Sequence, residues 1–262
     1  MHKWDPESYE KSSSSQKDWA EDLLSKIALK GNEKILDIGS GDGKITAKIA
    51  SLVPLGSVVG IDNSRDMVIF AQRKYHPSIW PNLSFQYGDA SDLKCENEFD
   101  LVTSFACLHW VLDHRPVLEG IRRCLRPGGK VFLQFGGKGN AIEILELADQ
   151  VISGQKWSKY FQNFEFPYGF FGPAEYKRWL DQSGLKIIRI ELIPKEMIQP
   201  DLDGLSSWIE TTWLPYTSRV PDKLRHEFIH QIAENYVESN PPGKDGKWHL
   251  KMVRLEVEAE KS

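Results

Sequence analysis

ILDIGSGDG, at residues 35–43, is the stretch of the sequence that decides the fold. Mostly apolar residues lead into glycines at every second position, and apolar side chains then recur at helical spacing over residues 45–52. Glycine has no Cβ, so its backbone turns easily with positive φ and approaches a ligand closely. The stretch therefore predicts a short buried strand, a glycine turn open to a ligand, and a helix.

The spacing of the glycines separates two kinds of nucleotide site. A dinucleotide-binding turn reads G-x-G-x-x-G and holds a pyrophosphate on the N–H groups of the following helix. Here the glycines are Gly39, Gly41 and Gly43, position 44 is Lys44, and Asp37 precedes the first glycine by two residues. A carboxylate at position 37 would repel a pyrophosphate and suits a cationic ligand such as S-adenosylmethionine. Alternatively, Asp37 orients backbone N–H groups of the turn without touching the ligand.

Strand and helix patterns alternate from this turn to residue 135. Strands are predicted at 34–38, 57–61, 83–87, 99–105 and 130–135, with helices at 45–52, 65–75 and around 117–125. Five strands separated by helices predict an α/β fold with a parallel, doubly wound, Rossmann-like sheet.

The remaining sequence predicts the rest of that sheet and additional helices. Helices are expected at 141–152, 175–183, 205–213 and 223–237, and strands at 185–192 and 248–257. We therefore expect a seven-stranded, mainly parallel sheet with helices on both faces and a helical insertion before the last strand. The chain is expected to divide into an N-terminal helical cap (1–32), a cofactor-binding core (33–137) and acceptor-site helices with the final strands of the same domain (138–262).

Acidic residues follow the second and third strands, where open α/β sheets bind their ligands. Asp62 can accept hydrogen bonds from both ribose hydroxyls, although nicotinamide enzymes place an acid similarly. Asp89 can accept a hydrogen bond from an adenine amino group. Met67 either packs on the adenine ring or belongs to the core, as a methionine at helical spacing commonly does.

Taken in order, these features resemble the class I S-adenosylmethionine-dependent methyltransferases over residues 33–135, including the turn LRPGG at 125–129. The resemblance implies that the glycine turn lies under S-adenosylmethionine, that the acid after the second strand binds ribose, and that the acid after the third recognises adenine. We assign the cofactor site to Asp37, Gly39, Gly41, Gly43, Asp62, Asn63, Met67, Asp89, Ala90 and Phe105.

The acceptor should lie beside the end of the fourth strand, SFACLHW at residues 104–110. This run, the opening WDPESY at residues 4–9 and Gln16 resemble a narrower group that includes trans-aconitate and juvenile hormone acid methyltransferases. That resemblance implies O-methylation of a carboxylate on a small molecule. A carboxylate is ionised near neutral pH and needs no general base. We predict that the Gln16 amide and the Trp110 indole N–H hold it.

Two alternatives stay open at this point. His109 could act as the base for an amine, phenol or carbon acceptor, hydrogen-bond a carboxylate, or be structural. The chain could also be a non-catalytic module that binds the cofactor, since a fold does not fix a function. The aromatic residues of 157–171, with Trp208, Trp213 and Tyr216, either line an apolar acceptor pocket or pack as a helical cap.

The composition limits which binding partners and which cellular compartment we expect for the protein. A net charge of −4 disfavours nucleic acid, no metal-ligand cluster is evident, and no apolar run approaches the roughly 18 residues of a membrane span. Cys95, Cys107 and Cys124 show no CxxC spacing, so we expect reduced thiols in a cytoplasmic protein.

Overall fold

The glycine turn, residues 39–43, lies between a buried strand and a helix, as the sequence predicts. The computed structural model describes residues 14–262, with side chains from Trp19 onward. The helices are α1 (Ser14–Leu24), α2 (Lys44–Leu52), α3 (Arg65–Lys74), α4 (Arg115–Cys124), α5 (Ile142–Ser153), α6 (Pro173–Ser183), α7 (Leu202–Thr212), α8 (Leu214–Thr217) and α9 (Asp222–Ser239). The strands are β1 (Lys34–Ile38), β2 (Ser57–Asp62), β3 (Leu83–Tyr87), β4 (Phe99–Phe105), β5 (Leu125–Gly136), β6 (Leu185–Gln199) and β7 (Trp248–Lys261).

The strands form the expected seven-stranded sheet over the described residues, in the order β3-β2-β1-β4-β5-β7-β6. The pairs from β3 through to β5 are parallel, and β7 runs antiparallel to both β5 and β6. The chain moves outward from β1 to β3 and then crosses to β4 on the other side of β1. Loops leaving β1 and β4 therefore diverge, which opens a crevice at the carboxyl edge of the sheet.

Helices cover both faces of this sheet because neighbouring strand residues point in opposite directions. Ile35 packs with Leu23 and Ile49 on one face, whereas Leu36 packs with Leu118 on the other. A third core lies among α5, α7 and α9, and its members include Trp157, Trp208, Tyr216, Phe228 and Ile232. None of the helices in the described residues has the length and hydropathy of a membrane-spanning helix.

The last two strands are longer than the sequence predicts. β6 continues to Gln199 and β7 to Lys261, and the two pair from Leu185 opposite Lys261 to Gln199 opposite Trp248. Pro194 and the charged residues of 195–199 obscure the strand pattern locally. Pairing with a distant segment, rather than local periodicity, sets these ends.

The cysteines correct one expectation. Cys95 and Cys124 form a disulfide with their Cα atoms 4.7 Å apart, so the prediction of reduced thiols is wrong for this pair. They are separated by 29 residues and become neighbours because α4 packs on the 3-10 helix at Ala90–Asp92. No local spacing signals such a pair. Cys107 is a free thiol.

Candidate functional site

A cavity of about 570 Å³ opens at the carboxyl edge of the sheet, in the crevice between the loops after β1 and β4. The predicted cofactor residues that line it are Gly39, Gly41, Asp62, Asn63, Met67, Asp89, Ala90 and Phe105. Trp110, predicted for the acceptor, lines it as well. Asp37, Gly43 and His109 are not among the lining residues.

The glycine turn leaves no space for side chains at its two ends. Gly39 has φ +76°, and a Cβ there would lie 2.1 Å from the Cys107 sulfur. Gly43 has φ +82°, and a Cβ there would lie 2.7 Å from the Phe85 ring. The N–H groups of Gly39 and Ser40 both donate to the Ile61 carbonyl at 2.8 and 2.9 Å. The turn is thereby pressed against β2 and the loop after β4.

Asp62 ties this turn to the next helix. Its Oδ2 accepts a hydrogen bond from the Gly41 N–H at 2.9 Å, and its Oδ1 accepts one from the Ser64 N–H at 2.8 Å. Burial raises the pKa of this carboxyl above its ordinary value. A carboxylate has about four lone-pair directions, so Asp62 keeps capacity for ribose hydroxyls in the cavity that it lines.

The far end of the cavity suits an adenine ring. Met67 is buried at this end, and Asp89 Oδ1 accepts from the Ser91 N–H at 2.8 Å. The Arg65 guanidinium lies 4.5 Å from the centre of the Tyr87 ring, and both residues line the cavity. Sequence reasoning missed this pair, although Tyr87 ends β3 and Arg65 begins α3 at the edge where ligands bind.

Asp37 lies behind the turn rather than in the cavity wall. Its carboxylate accepts hydrogen bonds from the hydroxyls of Thr46 at 2.7 Å and Thr103 at 2.8 Å, both fully buried. Burial raises the pKa of Asp37 to about 6, against the lowering effect of the two hydroxyls. Asp37 thus joins β1, α2 and β4 at the base of the turn. Both threonines escaped the sequence analysis because hydroxyls on buried faces give no pattern.

Phe105, Cys107, Trp110 and Val111 line the opposite end of the cavity. Ala106 has φ +52° and turns the chain sharply as it leaves β4. Burial, reinforced by nearby carboxylates, raises the pKa of the Cys107 thiol, so this group stays protonated and uncharged. The lining side chains at this end are therefore uncharged.

His109 packs among aromatic rings outside the cavity. Its ring centroid lies 5.5 Å from that of Tyr168 and 5.9 Å from that of Phe170. Burial, with a smaller effect from the Arg254 charge, lowers the pKa of His109 to about 3. This neutral, enclosed ring gives no support to the proposed role as a base.

A second histidine, His114, was missed by sequence reasoning and holds the turn that carries Trp110. Its Nε2 lies 2.8 Å from the carbonyl oxygens of both Leu108 and Val111, and its Nδ1 contacts the Tyr176 hydroxyl. Burial lowers the pKa of His114 to about 4. The buried ring thus connects the turn at residues 108–111 to Tyr176. In the sequence, only its position just before α4 could have indicated this role.

Trp110 lines the cavity and also belongs to an aromatic cluster. The members of this cluster are Trp110, Tyr168, Phe170, Trp208 and Trp213. The Tyr168 ring centroid lies 4.4 Å from that of Trp110 and 5.9 Å from that of Trp213. Trp208 and Trp213 meet edge to face at 5.7 Å. The cluster joins the Phe105 end of the cavity to the helices after β6.

Buried polar atoms without a hydrogen-bond partner occur in two places among the described residues. Ser40 Oγ and Asp42 Oδ2 belong to the glycine turn, and the others are His109 Nδ1, Ser206 Oγ, Trp208 Nε1 and Trp213 Nε1, in or beside the aromatic cluster. An unsatisfied buried polar group costs free energy and commonly marks a place where a ligand or water binds. Ser40 and Asp42 are not among the residues that line the cavity, and Asp42 Oδ2 lies 3.5 Å from Lys44 Nζ, whereas the second group adjoins the cavity through Trp110.

Several predicted residues cannot be placed. Gln16 belongs to α1, but its side chain lies outside the described residues, as do residues 4–9. No group of three or more His, Cys, Asp or Glu side chains that could hold a metal occurs in the part of the chain that is described.

Known proteins resemble this chain in sequence. Residues 35–129 match a family described as a methyltransferase domain. The chain is 30% identical to trans-aconitate 2-methyltransferase of Deinococcus radiodurans, over 92% of each chain. It is 28% identical to juvenile hormone acid O-methyltransferase of Drosophila melanogaster, over 80% of this chain and 73% of that one.

A solved structure shares the fold. Haemonchus contortus phosphoethanolamine N-methyltransferase 2, in complex with phosphomonomethylethanolamine and S-adenosylhomocysteine, superimposes with a TM-score of 0.62 at 20% identity. The match covers 98% of this chain and 56% of that one.

Replacing Asp62 should weaken cofactor binding strongly. Asp62→Ala removes the acceptor for Gly41 and Ser64 and for the ribose, and hydrogen bonds to a charged group contribute about 1.5–3 kcal/mol each. We expect the dissociation constant for S-adenosylmethionine, measured by calorimetry, to rise about 10- to 100-fold or more. Asp113→Ala, an exposed change of the same charge, should leave it unchanged. An unaltered affinity in Asp62→Ala would remove this residue from the site.

Asp37 should make the folded chain less stable as the pH rises. Its folded pKa of about 6 lies above the ordinary 3.8, so the folded state retains a proton that the unfolded state loses between these values. The free energy of unfolding should therefore fall from about pH 4 to pH 6, and Asp37→Asn should reduce that fall. Urea denaturation at several pH values measures this, with Asp92→Asn as an exposed control. Equal pH dependence in wild type and Asp37→Asn would contradict the assignment.

Proposed function

This chain belongs to the S-adenosylmethionine-dependent methyltransferases, and from that membership we propose that it methylates a carboxylate oxygen of a small organic acid. The observation that carries the proposal is the chemistry of the cavity beside Phe105. The described lining residues there offer no base: Cys107 is a protonated thiol and His109 lies outside the cavity. An acceptor that is already ionised suits such a site, and a carboxylate is ionised near neutral pH.

The cavity residues fit the methyl donor. Asp62 would hold the ribose hydroxyls, Met67 would lie at the adenine, and the glycine turn would lie under the methionine portion. When bound, S-adenosylmethionine supplies a methyl group on a cationic sulfur. The carboxylate oxygen forms the new O–C bond while the C–S bond breaks and its electron pair stays on sulfur, which yields a methyl ester and S-adenosylhomocysteine.

The protein's part in this transfer is to position the acceptor and to exclude water. Holding the reacting atoms about 3–3.5 Å apart and aligned lowers the barrier substantially. The indole N–H of Trp110 and the amide of Gln16 would orient the carboxylate as uncharged donors. Such donors leave the oxygen more nucleophilic than a tight pair with arginine would.

The helices of residues 138–262 would provide the acceptor pocket. Trp208 and Trp213 have buried indole N–H groups without partners in the described structure, and their cluster reaches the cavity through Tyr168 and Trp110. An acceptor lying against this cluster could satisfy them. The names of the Deinococcus and Drosophila relatives both refer to organic acids, which supports an acid acceptor.

The first test is the chemistry of the product. We expect methyl-labelled S-adenosylmethionine to label an acid in a panel of trans-aconitate, benzoate, decanoate, an aliphatic amine and a phenol, and mild base to release that label as methanol. The Asp62→Ala variant, assayed in parallel, controls for background transfer. A base-stable label on the amine or the phenol would contradict carboxyl methylation and leave the cofactor assignment intact.

Removing either proposed donor should slow transfer without weakening cofactor binding. Trp110→Phe keeps a ring against Tyr168 but loses the N–H, and Gln16→Ala loses the amide. We expect each to lower kcat/KM for the acid about 10- to 100-fold, with S-adenosylmethionine affinity within a few-fold of wild type. Trp80→Phe changes a half-buried tryptophan that does not line the cavity and serves as the control. Normal turnover by both variants would disprove these roles.

A further inference from the structure

Helix α1 is fixed to the sheet close to the cavity. Its residues Ala20, Leu23 and Leu24 are buried. The Gln134 side-chain amide on β5 donates to the Trp19 carbonyl at 3.1 Å and to Glu256 Oε1 on β7 at 2.9 Å. Because the same amide nitrogen makes both bonds, the position of the Trp19 backbone depends on two neighbouring strands.

Arg254 contacts the side chain of Trp19, whereas Gln134 binds its backbone. Its guanidinium lies 4.4 Å from the centre of the Trp19 ring, and the residue is only 4% exposed. Arg254 stands on β7 opposite Gly136, the last residue of β5, so it lies at the carboxyl edge of the sheet. Arginine adds a rigid plane that stacks on an aromatic ring and restricts its orientation.

The strand pair that carries Arg254 also packs against the turn that carries Trp110. A Cβ on Gly136, which lies opposite Arg254, would lie 2.6 Å from the Phe170 ring, and the centroid of that ring lies 5.9 Å from that of His109, the residue before Trp110. The Arg254 charge contributes to the lowered pKa of that histidine. On the other side of Arg254, Trp19 follows Gln16 by three positions, which is about one helical turn of α1. Arg254 therefore stands between the two chain segments that carry the proposed carboxylate donors.

We propose that Arg254 is a positioning residue for methyl transfer, which holds α1, and with it Gln16, in register with the Trp110 turn by clamping the Trp19 ring. This inference rests on the proposed function, because Gln16 is taken there to hold the acceptor carboxylate. Arg254 acts on the reaction through α1 and does not itself bind the acceptor.

A double-mutant cycle between Arg254 and Gln16 tests the proposal, since residues that act through one another are not additive. The probe is the acid of the panel that the wild type methylates fastest. We expect Arg254→Met to lower kcat/KM at least tenfold in the wild-type background and less than twofold in the Gln16→Ala background. Cofactor affinity should stay within twofold. Arg254→Lys should not rescue activity, because an ammonium lacks the stacking plane.

Two further variants keep the test interpretable. Trp19→Leu removes the ring that Arg254 clamps, and it should reproduce the loss if Arg254→Met folds poorly. Lys195→Ala breaks an exposed ion pair to Asp22 on the same helix, and it should change kcat/KM less than twofold. Hydrogen exchange reports on the helix without any acceptor, and we expect faster exchange across Ser14–Leu24 in Arg254→Met and not in Lys195→Ala.

Several results would overturn the proposal. These are an unchanged kcat/KM in Arg254→Met, an equal loss in both backgrounds, a parallel fall of cofactor affinity, or unchanged hydrogen exchange in α1. An equal loss would mean that Arg254 contacts the acceptor itself. Failure of the proposed function is a separate result, because it shows as a base-stable wild-type product, and the cycle can then be run on that acceptor.

Discussion

The close approach of the glycine turn to the loop after β4 is the constraint on which the site depends. No side chain fits at position 39, because the Cys107 sulfur occupies the space that a Cβ would need. This contact brings the end of β1 against the end of β4 at the point where the strand order reverses. The floor of the cavity and the segment that leads to Trp110 are therefore positioned by one another.

Three carboxylates lie around this contact, and they differ in how deeply they are buried. Asp89 is exposed at the rim, Asp62 is partly buried in the wall, and Asp37 is enclosed behind the turn. Their combined field opposes negative charge at Cys107 and favours a cationic ligand in the cavity. The same field that attracts a sulfonium keeps the neighbouring thiol from becoming a competing nucleophile, because the thiolate is the reactive form of cysteine.

The parts of the molecule that local patterns encode could be predicted from the sequence. The glycine turn, the strands up to residue 105 and the cavity positions of Asp62 and Asp89 follow from short-range spacing and strand ends. The ends of β6 and β7 could not be predicted, because each is set by pairing with a distant strand. The hydroxyl of Thr103 reaches Asp37 across 66 residues, and the Cys95–Cys124 bond spans 29. Contacts of this kind leave no periodic trace in either segment.

The order in which the elements leave the ribosome gives the antiparallel strand β7 a particular importance. Strands β1 to β4, whose ends and following loops bound the cavity, are complete by residue 105, whereas α1, which is made before them, obtains Arg254 as a neighbour only when β7 has been made. Contacts between segments so far apart in the chain form late, because closing a long loop costs entropy before any contact repays it. A nascent chain could thus shape the cavity well before α1 finds its final place. The docking of α1 on the sheet consequently waits for the synthesis of β7.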